Sequence, residues 1–181
     1  MNVMARHPTA RAAAALGLAL LVGGCRGVRG IASSPPPAEA AGREGWVAYR
    51  VGQLRIEAPA SWTATGREQA LRLEEPEGRG RLEVSVRGEA FADARSCLAA
   101  AEASLERGEE QLERVRRHAT RIAGVPAVTQ EADQGPWHGW AWAACDGGVQ
   151  YRIFFTAVST APAEVMEVHR ALLSARLGGT S

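Results

Sequence analysis

From Trp46 onward the chain alternates apolar and polar residues in short runs, the period of half-buried β-strands. Trp46 to Arg50 and Leu54 to Glu57 read as two strands around Val51-Gly52-Gln53, with Leu54 and Ile56 on one face and Arg55 and Glu57 on the other. Leu71 to Glu74 and Arg81 to Arg87 flank the turn-rich Pro76-Glu77-Gly78-Arg79-Gly80 and predict a hairpin. In its second arm Leu82, Val84 and Val86 point inward, and Arg81, Glu83, Ser85 and Arg87 outward. Asp93 is placed to cap a helix through about Arg107, with Ala94, Leu98, Ala101 and Leu105 at helical spacing and Gly108 as the stop. Arg114 to Ile122, Ala127 to Asp133, Gly139 to Asp146 and Val149 to Val158 then predict four more strands. The last alternates most clearly, with Val149, Tyr151, Ile153 and Phe155 on one face, and Asp146-Gly147-Gly148 turns the chain into it. Ala161-Pro162 opens a closing helix to about Leu177, whose buried stripe is Val165, Val168, Leu172 and Leu173. Two runs of antiparallel strands, each closed by a helix, predict one α+β domain over residues 45–178, mainly antiparallel sheet with two helices packed on it.

The first 44 residues follow different rules. Residues 12–22 are apolar without a break and are led by Arg6, His7 and Arg11. Eleven residues at about 1.5 Å each fall far short of the roughly 30 Å hydrocarbon core, so the run predicts a signal-peptide core and not a stable span. Leu21-Val22-Gly23-Gly24-Cys25 closes it and resembles the lipobox of bacterial lipoproteins. That resemblance implies removal of residues 1–24, lipid on the Cys25 sulfur and a membrane as the first partner. Residues 26–43 are rich in Gly, Ser, Ala and Pro, including Ser33-Ser34-Pro35-Pro36-Pro37, and read as a semi-rigid tether from residue 25 to 44.

Composition narrows the partners. The chain has 21 arginines and no lysine; Arg6 and Arg11 leave with the signal, so 19 arginines face 20 acidic residues. A balance of −1 gives no basic excess to attract nucleic acid. With Cys25 consumed by lipid, Cys97 and Cys145 remain as an even pair in an oxidising envelope. No Cys-x-x-Cys supports a redox dithiol, and neither cysteine has a second metal ligand at a recognisable spacing. A structural disulfide is therefore expected, pinning the first helix to the penultimate strand, with no metal and no cofactor.

The order of parts also resembles the PsbP-like family, relatives of the photosystem II oxygen-evolving protein P. Leu54-Arg55-Ile56-Glu57-Ala58-Pro59-Ala60-Ser61-Trp62 is similar to that group's strand followed by P-x-x-W. Ile122-Ala123-Gly124-Val125-Pro126-Ala127 is similar to its I-x-G-x-x-A, between a helix and a final hairpin and helix. The resemblance covers about residues 45–177. It implies an accessory or assembly factor with no shared active site, so no catalytic residue carries over.

The residues point the same way. Beyond the signal the histidines are His118, His138 and His169, and none lies in a Gly-x-Ser-x-Gly, Ser-x-x-Lys or His-Glu-x-x-His setting. His118 and His169 are expected on solvated faces. Gln134-Gly135-Pro136-Trp137-His138 falls where a hairpin tip is expected, followed by Trp140 and Trp142 on one strand face. If these aromatics are ordinary strand residues, Trp140 and Trp142 pack under a helix and Trp137 folds back onto them. If they bind, Trp137, His138 and Trp140 are the candidate partner contact. Arg114, Arg116, Arg117, His118 and Arg121 form a basic cluster that Glu102, Glu106, Glu109, Glu110 and Glu113 can neutralise. The expected function is non-catalytic: docking onto or helping assemble an envelope complex, with a glycan or small-ligand module as the alternative and an unrecognised hydrolase behind it. A pocket lined by the tryptophans argues for a ligand, a flat exposed apolar patch for docking.

Overall fold

The computed structural model describes residues 38–87, 91–107 and 112–177. Cys25, the apolar run and most of the tether lie outside the described residues. The strands are β1 (Ala38–Ala40), β2 (Trp46–Val51), β3 (Leu54–Pro59), β4 (Thr63–Arg67), β5 (Ala70–Glu74), β6 (Gly80–Arg87), β7 (Glu113–Ile122), β8 (Val125–Gln134), β9 (Trp137–Asp146), β10 (Val149–Val158) and β11 (Arg176–Leu177). The helices are α1 (Ala94–Glu106), between β6 and β7, and α2 (Ala163–Leu173), between β10 and β11. The result is a single α+β domain of mainly antiparallel sheet with two helices.

The strands divide into two sheets. Seven run β4-β5-β6-β10-β9-β8-β7, and four run β1-β2-β3-β11. Every pairing is antiparallel. Alternation then sorts each strand of the large sheet by face. Leu71, Leu73, Leu82, Val84, Trp142, Ile153 and Phe155 enter the core on one face. The small sheet closes over them with Val51, Leu54 and Ile56, and α2 with Val165, Val168 and Leu172. Gly80 marks how closely α2 approaches: a Cβ there would lie 2.5 Å from Val165 Cγ1 and 3.2 Å from Trp62. Burial of this apolar set, at about 25 cal/mol per Å², is the main term holding the two sheets together.

α1 lies on the opposite face, across β8, β9 and β10. Asp93 accepts from the Ser96 amide at 2.7 Å while the Asp93 N–H donates to Ser96 Oγ at 3.2 Å, a reciprocal cap. Its buried side chains are Cys97, Ala101 and Leu105. Cys97 is bonded to Cys145 on β9, with α-carbons 6.0 Å apart, so helix and sheet are joined as expected. The turn Gly147-Gly148 is confirmed, and Gly148 is demanded by contact, since a Cβ would lie 2.2 Å from the Phe91 carbonyl oxygen.

Several expectations change. The strands form two sheets, not one. β4 was not foreseen; it is an edge strand, Thr-Ala-Thr-Gly-Arg, held by its ladder to β5 and not by an apolar face. β1 draws residues 38–40 of the expected tether into pairing with Val47, Ala48 and Tyr49. The closing helix stops at Leu173, four residues early, and the chain returns as β11 to pair with Leu54 and Arg55 of β3.

Candidate functional site

Trp137 and His138 are not at a loop tip. They open β9, paired with Gln134 and Asp133 of β8, so the connection shrinks to Gly135-Pro136. Strand alternation then separates the three expected contact residues. His138 and Trp140 share the inner face with Trp142, while Trp137 points to the outer face, at the end of β9 away from the Cys97–Cys145 bridge. Trp137 therefore does not fold back onto Trp140 and Trp142, and the three do not form one contact.

On the inner face the aromatics pack on α2. The ring centroid of Trp140 lies 4.4 Å from His169, 4.1 Å from His138 and 5.6 Å from Phe155. His169 is thus no solvated helix residue. It stands at i+4 from Val165 and beside Val168, within the stripe that meets the sheet. Its Nε2 is buried without a hydrogen-bond partner. Burial holds this imidazole below its ordinary pKa; Glu131 opposes the shift, while His138 and Arg170 reinforce it. His138 Nδ1 lies 2.5 Å from Asp133 Oδ1, and Arg114 Nε is 2.7 Å from the other carboxylate oxygen. The His138 bond leads in holding Asp133 below the usual carboxylate range, with Arg114 and Arg116 adding to it. Among the described residues no hydroxyl or thiol hydrogen-bonds a histidine, and no group of three His, Cys, Asp or Glu could hold a metal.

The basic cluster is dispersed along β7. Arg114 pairs with Asp133, Arg117 Nη1 reaches Glu106 at 3.1 Å, and Arg121 donates to the Gly124 carbonyl. Local ion pairing absorbs part of this charge. Glu109 and Glu110 lie outside the described residues.

The outer face carries what the sequence did not reveal: a trough of about 470 Å³ between α1 and the β4–β5 edge. Its floor comes from β8, β9 and β10, through Ala132, Gly139, Ala141, Phe154 and Thr156. Trp137 and Gln134 close one end, Leu105 and Leu112 form the helix side, and Arg72, Arg81 and Glu83 the opposite side. Arg152 stiffens the helix side, donating to Gln150 Oε1 at 2.8 Å and to Ser104 Oγ at 3.0 Å. Gln150 is fully buried and reaches the Cys97 carbonyl, so one chain of bonds ties the floor to α1. Gln130 and Gln134 also line the trough, and the Oε1 of each is buried without a partner. The signal for this site was the outward register of Gln130, Ala132 and Gln134 on one strand and Trp137, Gly139 and Ala141 on the next. Elsewhere among the described residues, the large apolar side chain left exposed is Leu173 of α2. No described helix is long and apolar enough to cross a membrane.

The sequence matches no family model. It also matches no curated protein. Among solved structures, a crystal structure from Bacteroides thetaiotaomicron VPI-5482 has a TM-score of 0.47 at 15% identity, over 71% of this chain and 47% of that one. The chain thus spans about half the length of that neighbour. The solution structure of cyanobacterial PsbP (CyanoP) from Synechocystis sp. PCC 6803 has a TM-score of 0.45 at 16% identity, over 84% of this chain and 96% of that one.

Proposed function

We propose that this protein is a non-catalytic accessory module of the bacterial cell envelope, held by lipid on Cys25 and working by binding through the outer-face trough. The observation that carries the reading is the trough itself. A concavity lined by Trp137 and Phe154 stands on one sheet face, while exposed large apolar surface elsewhere is confined, among the described residues, to Leu173. Concave, largely apolar sites with a few placed polar groups are the usual form of a binding site. This favours a ligand or partner segment entering the trough over docking by a flat patch. The accessory role is supported by the resemblance of Leu54–Trp62 and Ile122–Ala127 to PsbP-like proteins. Anchoring is supported by the order of charge, apolar run, small residues and Cys25.

Two variants test the reading. Cys25→Ser blocks lipidation, so intact mass shows no acyl adduct and the protein leaves the membrane fraction or persists as uncleaved precursor. An unmodified Cys25 in the membrane-extracted wild type contradicts the anchoring. Trp137→Ala leaves folding and attachment intact and lowers recovery of crosslinked partner from intact membranes. Truncated aromatic hot spots lose about 2 kcal/mol or more, roughly thirtyfold in affinity. Unchanged recovery in a folded Trp137→Ala protein contradicts a working trough.

A further inference from the structure

The geometry points to a neutral saccharide as the occupant of the trough, laid across β8, β9 and β10; this rests on the trough being the working surface. The first ground is how the floor is made. Gly139 sits mid-strand, where glycine weakens a sheet, yet a Cβ there would meet Thr156 Cγ2 at an ordinary 3.5 Å. Packing does not demand a glycine. Its effect is depth: Gly139 pairs with Ala132, and Ala141 with Gln130, so the floor drops across two strands. The cavity of about 470 Å³ lies within the range of ligand sites, about 300–1,000 Å³.

The second ground is which groups are left unmet. Gln130 is only 4% exposed, and its Oε1 has no partner; the Oε1 of Gln134 is also buried and unpaired. Four residues apart on one strand, they stand about 13 Å from each other along β8. Each is an acceptor on a side chain that lines the trough, so a ligand bringing hydrogen-bond donors to two separated places meets both once these side chains turn toward it. Sugar hydroxyls do this. An acyl chain brings no donors, and phosphates or carboxylates bring further acceptors. A peptide brings a carbonyl for every N–H, and the ladder strands beneath have no backbone donors to spare. A hydroxyl donates without requiring a donor in return.

The remaining walls fit the same chemistry. Trp137, opposite Gln134 in register, and Phe154 on β10 offer flat apolar faces to the C–H faces of sugar rings. On the β5–β6 wall each arginine faces carboxylates: Arg72 lies 3.0 Å from Glu74 and 3.9 Å from Glu83, and Arg81 lies 3.3 Å from Glu74. That wall suits an uncharged ligand.

The test titrates the full chain in detergent solution with two neutral probes, chitotetraose and cellotetraose, followed by calorimetry and tryptophan fluorescence. Saturable binding of at least one is expected, with a dissociation constant of about 1 mM or tighter. Trp137→Ala weakens it about tenfold or more. Gly139→Val, which fills the floor without removing any contact, abolishes it while the unfolding midpoint stays near wild type. Gln134→Ala weakens it about threefold to tenfold, the scale of one hydrogen bond. No saturable binding of either tetramer, or binding that survives Gly139→Val in a folded protein, overturns the saccharide. In the first case, loss of crosslinked partner in Gly139→Val membranes shows that the trough binds something else, and unchanged crosslinking overturns the wider reading as well.

Discussion

Phe154 and Phe155 are the same residue type on the same strand, one position apart, and they serve different ends. Phe155 is fully buried in the core between the two sheets; Phe154 lines the outer trough. The contrast extends across the whole large sheet. Its inner face carries the apolar core where the small sheet and α2 close over it, and turns polar toward β7 through Glu131, Asp133 and His138. Its outer face is covered by α1 at one end only, and the uncovered remainder mixes aromatic, amide and paired charged groups. A period of two lets each strand serve both faces, so stability and binding are separable residue by residue.

The largest effect expected from breaking this contrast is at Phe155. Phe155→Ala costs about 3–5 kcal/mol through lost burial and a residual cavity, read as a lowered midpoint in urea. Phe154→Ala costs markedly less, because its ring is already partly in contact with solvent. Equal losses would mean that the two faces are not distinct. Next in size is the bond that joins α1 to the outer face. Replacing both Cys97 and Cys145 by alanine costs about 2–4 kcal/mol, mostly through the loop it closes in the unfolded chain. Hydrogen exchange then rises first in residues 94–106 and later in β3, whose packing does not involve the bridge.

A smaller effect belongs to His169. Burial holds its pKa below the ordinary value in the fold, while in the unfolded chain it titrates near 6.5. As pH falls below about 6.5 the unfolded chain takes up the proton first, so stability is full above that pH and declines beneath it. His169→Phe keeps an aromatic against Trp140 and flattens this part of the pH–stability curve. An unchanged slope would show that His169 does not carry this part of the pH dependence.

These regions were not equally legible in the sequence. The inner face was, because Leu82, Val84, Val86 and Val149, Tyr151, Ile153, Phe155 announce themselves by alternation. α1 was marked by Asp93 and its spacing, and Cys97 with Cys145 by parity in an oxidising compartment. β4 and β1 were not, because edge pairing is made by backbone groups and asks little of the side chains. β11 was hidden behind an apolar stripe that could have continued the helix. His169 was missed although it sits at i+4 from Val165, where a helix turns the next residue toward the same sheet. The trough was missed for a different reason: it is built from what is small or absent, Gly139, Ala141 and Ala132, and an apolar pattern records only what is large. Counting parity from Trp140 back to Trp137 would have placed those two rings on opposite faces.

The most direct test of the separation of faces places a photo-crosslinking phenylalanine analogue at Thr156, on the trough floor, or at Leu173, on the exposed side of α2, and irradiates intact membranes. Adducts from Thr156 and none from Leu173 are the predicted result. Adducts from Leu173 with none from Thr156 would put the working surface on α2 and contradict the account.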